Sequence, residues 1–256
     1  MVSEPTGRTA LPNQRRRSVL LSRLRPVGAD CTQEAIVGEL RRVILSGDVP
    51  PGAAIPVADV AQHFGVSHIP VREALKTLFA EQLVDHRRNF GYAVARLTWS
   101  ELKELYIARG VLEGAALSSA VGLATVDDDL AAHQALAALD EAMRLDDYRA
   151  YHRESRRFHF ALLEPCRMFR LLHMLRAVWN LTEAYQPMAH VSGSDRNRLH
   201  AEHRQMLAAF VARDAVALAA LAAGHQHDLE ESIDQLASHP EIFAGEPRKP
   251  EPAASP

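Results

Sequence analysis

Cysteine is almost missing from this chain: Cys31 and Cys166 are the only two among 256 residues. That count excludes a disulfide framework and fits a reducing compartment. Long apolar runs are missing too. No stretch approaches the ~18 uninterrupted apolar residues of a membrane span. Near the N-terminus, Arg15, Arg16 and Arg17 are followed only by Val19, Leu20 and Leu21 before Arg23 and Arg25. That apolar patch is too short for the core of a secretion signal. A cytoplasmic protein is therefore expected. Beyond Arg96 no segment alternates like a strand, and no repeat of fixed period is present.

What the chain does have is apolar bulk. Hydrophobic residues make up 47% of it, enough to fill real cores over two modest domains or one large one. Net charge is only −3, but it is unevenly spread. Residues 1–98 carry 13 Lys and Arg against 9 Asp and Glu, whereas the remainder carries 16 against 23. A basic front on an acidic back suits a module that contacts phosphates, fused to one that need not.

Composition divides the chain into four parts. Residues 1–29, rich in Arg, Pro and Gly without periodicity, read as a disordered basic arm, and 237–256 as a disordered Pro-rich tail. Between them, 30–97 reads as a DNA-binding domain and 98–236 as an all-helical domain. In the first, Ile36, Leu40, Val43 and Ile44 recur at helical spacing up to Gly47. Ser46–Pro56 reads as a turn-rich connector. A short helix follows over Val57–Phe64, broken at Gly65. The next runs from an N-cap at Ser67 to about Glu81, with Pro70 in its first turn. Extended pieces over Leu83–His86 and Gly91–Ala95 then flank a basic hairpin carrying Arg87 and Arg88.

A helix, a glycine corner and a second helix make a helix-turn-helix, whose second helix enters the major groove. His68, Arg72 and Lys76 are spaced by four and share one face, opposite Val71, Ala74, Leu75 and Leu78. Arg72 can grip a guanine edge with two hydrogen bonds or clamp a phosphate. Spacing alone also admits an ordinary three-helix subdomain with a solvated polar face.

In the second domain, Thr98 with Glu101 makes a capping box for a helix reaching about Ala120. Further helices are expected over 126–145, 147–164, 167–187, 195–212 and 215–236. Asp127, Asp195 and Asp214 favour the starts of three of them. Thirteen histidines invite a metal reading. His63, His86, His133, His173, His190, His200 and His239 show no mutual spacing that suggests a site. His159, His203 and His225 lie on or beside the apolar faces of three different helices. Imidazoles converging from separate helices are how bundles build metal sites.

The stretches VILSGDVPPGAAI, GVSHIPVREAL with its following AEQLV, and NFGYAV closely resemble the winged helix-turn-helix of GntR-family repressors. ELYIARGVLEGAA, FHFALL and EHRQMLAAFVARD resemble the FCD sensing domain of that family's FadR-like branch. Together the resemblance spans about residues 32–236. It implies a mainly α protein: a winged helix-turn-helix followed by a helical FCD-like bundle. It also implies a homodimer on a palindromic double-stranded operator, acting as a ligand-responsive repressor. The DNA contacts would then include Ser67, His68, Arg72, Lys76, Arg87 and Arg88. The family usually has Arg-Thr after the serine where this chain has His68-Ile69, so His68 marks a changed specificity determinant.

The FCD resemblance also implies a divalent metal, zinc or nickel, held by three His and one Asp. His159, His203 and His225 match the His positions, while Ser155 stands where the Asp belongs. Serine is a poor neutral ligand, Glu154 points ~100° around the helix, and His227 faces elsewhere. Water or an effector carboxylate would complete a three-His site. Arg109 either anchors that carboxylate or pairs with Glu113 one turn away. Two other function classes stay open at this point. One is a constitutive DNA binder with a degenerate pocket, the other a zinc-dependent enzyme on the three His, which lacks a convincing general base.

Overall fold

A computed structural model describes residues 19–26, 32–186, 189 and 191–245. The first domain opens with α1 (Gln33–Leu45), whose N-cap Thr32 accepts a hydrogen bond from the Ala35 N–H. Its apolar face packs on α3 (His68–Ala80) behind α2 (Val57–Phe64). Gly65 ends α2 at φ +67°, a left-handed corner that a side chain would strain. The wing is β2 (Val84–Arg87) against β3 (Gly91–Val94), with Arg87 opposite Gly91. The connector expected over Ser46–Pro56 also contributes a strand, β1 (Ala54–Ile55), whose Ala54 pairs with Ala93. Two residues are too few to show an alternation in sequence; they become a strand because β3 offers them its free edge.

The regular elements of the second domain are all helical among its described residues. The domain comprises α4 (Trp99–Leu123), α5 (Val126–Arg144), α6 (Tyr148–Leu163), α7 (Phe169–Glu183), α8 (Gly193–Val211) and α9 (Ala215–Ile233). Thr98 and Glu101 form the capping box that the sequence suggests. Thr125 and Asp128 form another at α5, so Asp127 is not its principal cap. Asp147 and Asp214 cap α6 and α9 directly. Helix α4 packs against α6, α7 and α9 and forms the centre of the bundle. No helix of the described residues is long and apolar enough to cross a membrane.

Both ends are more ordered than composition suggests. Leu20 and Leu24, inside the arm expected to be disordered, are buried in the core. At the other end, Phe243 stacks on Tyr185 at 5.5 Å and meets Trp99 edge-on at 5.4 Å. The Ala244 N–H reaches the Leu97 carbonyl at 2.8 Å. A single aromatic among prolines leaves no periodic signal, yet it buries enough apolar area to fix the backbone around it. The remainder of the expected arm and tail, 1–18, 27–29 and 246–256, lies outside the described residues.

One contact between the two domains lies at the end of α1 and the turn that follows it. Gln186 Nε2, just past α7, donates to the Leu45 carbonyl at 3.2 Å. Arg149, in the first turn of α6, pairs with Asp48 at 2.6 Å. Gly47 lies between those contacts at φ +67°, and a Cβ there would overlap the Gln186 side chain. The linker itself is held by Tyr185 Oη, which accepts from the Leu97 N–H at 2.5 Å.

Candidate functional site

Helix α3 buries Val71, Ala74, Leu75 and Leu78 and turns His68, Ile69, Arg72 and Lys76 to solvent. Ser67 occupies its N-cap, but the hydroxyl makes no capping hydrogen bond. It is exposed and available to a phosphate instead. Lys76 Nζ lies 2.8 Å from Glu73, an exposed pair. Such a pair is worth little in water, so it yields readily to a phosphate. Arg87 and Arg88 are both exposed on the wing. All six side chains expected to meet DNA are therefore exposed on the recognition helix or the wing.

In the second domain the three imidazoles meet. His159 on α6, His203 on α8 and His225 on α9 are buried, and one ring nitrogen of each lies within 4.8 Å of the others. His159 Nε2 and His203 Nε2 are 3.1 Å apart. Behind them stand two carboxylates. Glu113 Oε2, from α4, is 3.1 Å from His159 Nδ1, and Glu202 Oε2 is 2.7 Å from His225 Nδ1. A carboxylate behind an imidazole holds the proton on the nitrogen it faces and leaves the other lone pair free for a metal. His203 Nδ1 is buried with no hydrogen-bond partner among the described residues.

The electrostatics keep two of these imidazoles in ligating form. Burial pushes His159 down to about 4, against the pull of Glu113. Burial, reinforced by His225 and His159, holds His203 well below its ordinary value. Burial alone would push Glu113 up, but Arg109 and His159 outweigh it and bring the carboxyl to about 2. At neutral pH His159 and His203 are thus neutral and Glu113 is ionised.

Arg109 does pair with Glu113, at 2.6 Å, and its guanidinium lies 3.4 Å from the Trp179 ring centroid. It also lines the small cavity beside the imidazoles, as does Ser155. Pairing with Glu113 and facing a ligand are therefore compatible. Glu154 is turned away toward Arg153 and Arg157, and His227 is exposed beside Glu231. The cavity encloses about 20 Å³, room for about one water.

Sequence reasoning missed several residues of this cavity. Tyr151 lines it with a buried hydroxyl that has no partner among the described residues. His152, also in the lining, has Nε2 2.9 Å from Glu183 Oε1. Trp179 supplies an apolar wall. The only signal for Glu202 was its place beside His203, which does not show which way it points. Among the histidines read as having no site, His200 is buried with Nε2 2.7 Å from Asp140.

Comparisons with known proteins match both domains of the fold. Residues 32–94 match the model of bacterial regulatory proteins of the gntR family, and residues 104–228 match the FCD domain. The chain is 26% identical over 188 residues to the uncharacterized HTH-type transcriptional regulator BphR of Paraburkholderia xenovorans, covering 71% of this chain and 77% of that one. It is 27% identical over 186 residues to the HTH-type transcriptional repressor GlaR of Escherichia coli, covering 68% and 83%. A crystal structure described as a putative transcriptional regulator GntR from Rhodococcus sp. RHA1 superposes with a TM-score of 0.70 at 26% identity. That match covers 78% of this chain and 96% of the other.

Proposed function

The chain belongs to the GntR family of bacterial transcriptional regulators and carries an FCD domain, and on that premise we propose a dimeric, operator-binding repressor whose sensing cavity takes a divalent metal and a small carboxylate. It is a regulator and not an enzyme: the similar proteins and the similar fold are those of transcriptional regulators. One winged helix-turn-helix reads few base pairs, so useful specificity calls for a two-fold dimer on a palindrome. Arg72 would read a base edge or grip the backbone, and Ser67, His68, Lys76, Arg87 and Arg88 would position the domain.

The observation that carries the sensing proposal is the inward grouping of His159, His203 and His225 with Glu113 and Glu202 behind two of them. Three imidazoles in a buried site suit zinc or nickel. Bound there, such an ion would offer a Lewis-acidic point to an oxygen ligand. Ser155 brings no charge, so an effector carboxylate would supply the missing anion, with Arg109 and the Tyr151 hydroxyl nearby to receive it. Because the cavity has room for about one water, that carboxylate would enter only as the surrounding helices part. The expected consequence is movement of α6, which begins against the Leu45–Asp48 turn of the DNA-binding domain, and of α7, which ends there.

Ser155 also favours a second reading, a constitutive DNA binder whose pocket has lost its ligand. Both readings are tested by band-shift assays on the intergenic DNA beside the protein's own gene, with chelator, with zinc and with added carboxylates. A shift that changes with metal or carboxylate supports the sensor. A shift indifferent to all of them supports the constitutive binder.

A further inference from the structure

The exposed face of α3 is not wholly polar. Ile69 is 71% exposed in the first turn of the helix, where base edges are met in a helix-turn-helix complex. It precedes Arg72 by three residues and Lys76 by seven, and so shares their face. His68 stands beside it, and Arg87 and Arg88 are exposed on the wing of the same domain. A lone exposed aliphatic on an ordinary surface means little. This one differs because it projects from the cationic face that closes on DNA, where binding will strip it of water.

Isoleucine has no donor or acceptor. Pressed against a guanine, adenine or cytosine edge, it would leave polar base atoms without partners, and a buried polar group without a partner is costly. The major-groove edge of one base offers an apolar group, the C5 methyl of thymine. We propose that Ile69 is a specificity determinant of this protein and packs against a thymine methyl in each operator half-site. The proposal rests on the DNA-binding role of α3. It deepens that role by naming the base feature read. Ile69 then adds affinity by apolar contact where Arg72 and Lys76 add it by charge, so its contribution is nearly independent of salt.

The test begins with operators enriched from random duplexes by the full-length protein. Each thymine of the enriched half-site is then replaced singly by uracil, which keeps the base pairing and deletes only the methyl. At one thymine per half-site the exchange should weaken binding roughly 3- to 10-fold, the effect of exposing one buried methyl. The same exchange should change affinity less than about 2-fold for Ile69→Ala, a substitution that a helix tolerates well. Ile69→Val, which keeps a branched apolar surface, should retain most of the sensitivity. If no thymine is sensitive to loss of its methyl, the proposal is overturned. It is overturned equally if Ile69→Ala stays as sensitive as the parent. A parent protein that enriches no sequence would overturn the DNA-reading role itself, and the proposal with it.

Discussion

His159 Nε2 lies 3.1 Å from His203 Nε2, and Glu113 faces the other nitrogen of His159. With Glu113 ionised, His159 carries its proton on Nδ1 and presents a bare lone pair at Nε2. In the metal-free protein His203 must therefore donate from Nε2, leaving its buried Nδ1 as an acceptor without a partner among the described residues. A metal held by the facing Nε2 atoms would require the other His203 tautomer, with the proton on Nδ1. Proton–nitrogen correlation spectra of the chelated protein should show His203 as the Nε2–H form and His159 as the Nδ1–H form. The reverse assignment would contradict this geometry.

Metal binding should be visible as stability. Zinc at 100 times its dissociation constant stabilises a folded state by about 2.7 kcal/mol, which for domains of this size is a rise in Tm of roughly 5–10 °C. Elemental analysis should find metal in tag-free protein. His203→Ala should abolish both the metal content and the chelator-sensitive part of Tm. A Tm indifferent to chelator in the parent protein would refute the site.

For the chelated protein, pH follows from the same groups. His159 binds its proton at about 4 when folded, below the ordinary 6.5, so the unfolded chain takes up more protons between those values. Stability should fall as pH drops from about 6.5 toward 4. Glu113, held at about 2, extends the loss below its ordinary 4.5. Each group contributes at most about 1.4 kcal/mol per pH unit within its window. Urea midpoints measured from pH 7 to pH 4 check this. His159→Gln should flatten the upper part of the curve.

On the DNA side, Arg72→Ala should cost about 1–3 kcal/mol at each half-site. The measurement is a band-shift titration at fixed salt. Unchanged operator affinity would remove α3 from the recognition role.

Coupling between the domains is also open to test at Gln186, which holds the Leu45 carbonyl from a left-handed backbone at φ +43°. Non-glycine residues in that region persist when the surroundings hold them there. Gln186→Ala should leave metal binding intact. It should reduce the fold-change in operator affinity on adding zinc or carboxylate, from a range of about 5- to 150-fold toward unity. An undiminished response would place the coupling elsewhere, for instance at the Arg149–Asp48 pair.

The sequence by itself determined the elements whose causes are local. Periodicity placed α1 to α3 and all six helices of the sensing domain within a few residues. Thr98–Glu101 capped α4, Gly65 broke α2, and the four-residue spacing of His68, Arg72 and Lys76 defined the outward face of α3. It also put His159, His203 and His225 on three helices. Tertiary structure alone decided that these three meet, that Glu113 and Glu202 back them, and that Tyr151 and His152 line the cavity. Glu113 and His159 are 46 residues apart, and no local pattern records which helices will pack together. Leu20, Phe243 and the two-residue strand Ala54–Ile55 were hidden for the same reason: each is ordered by a surface that exists only after distant segments have folded against one another.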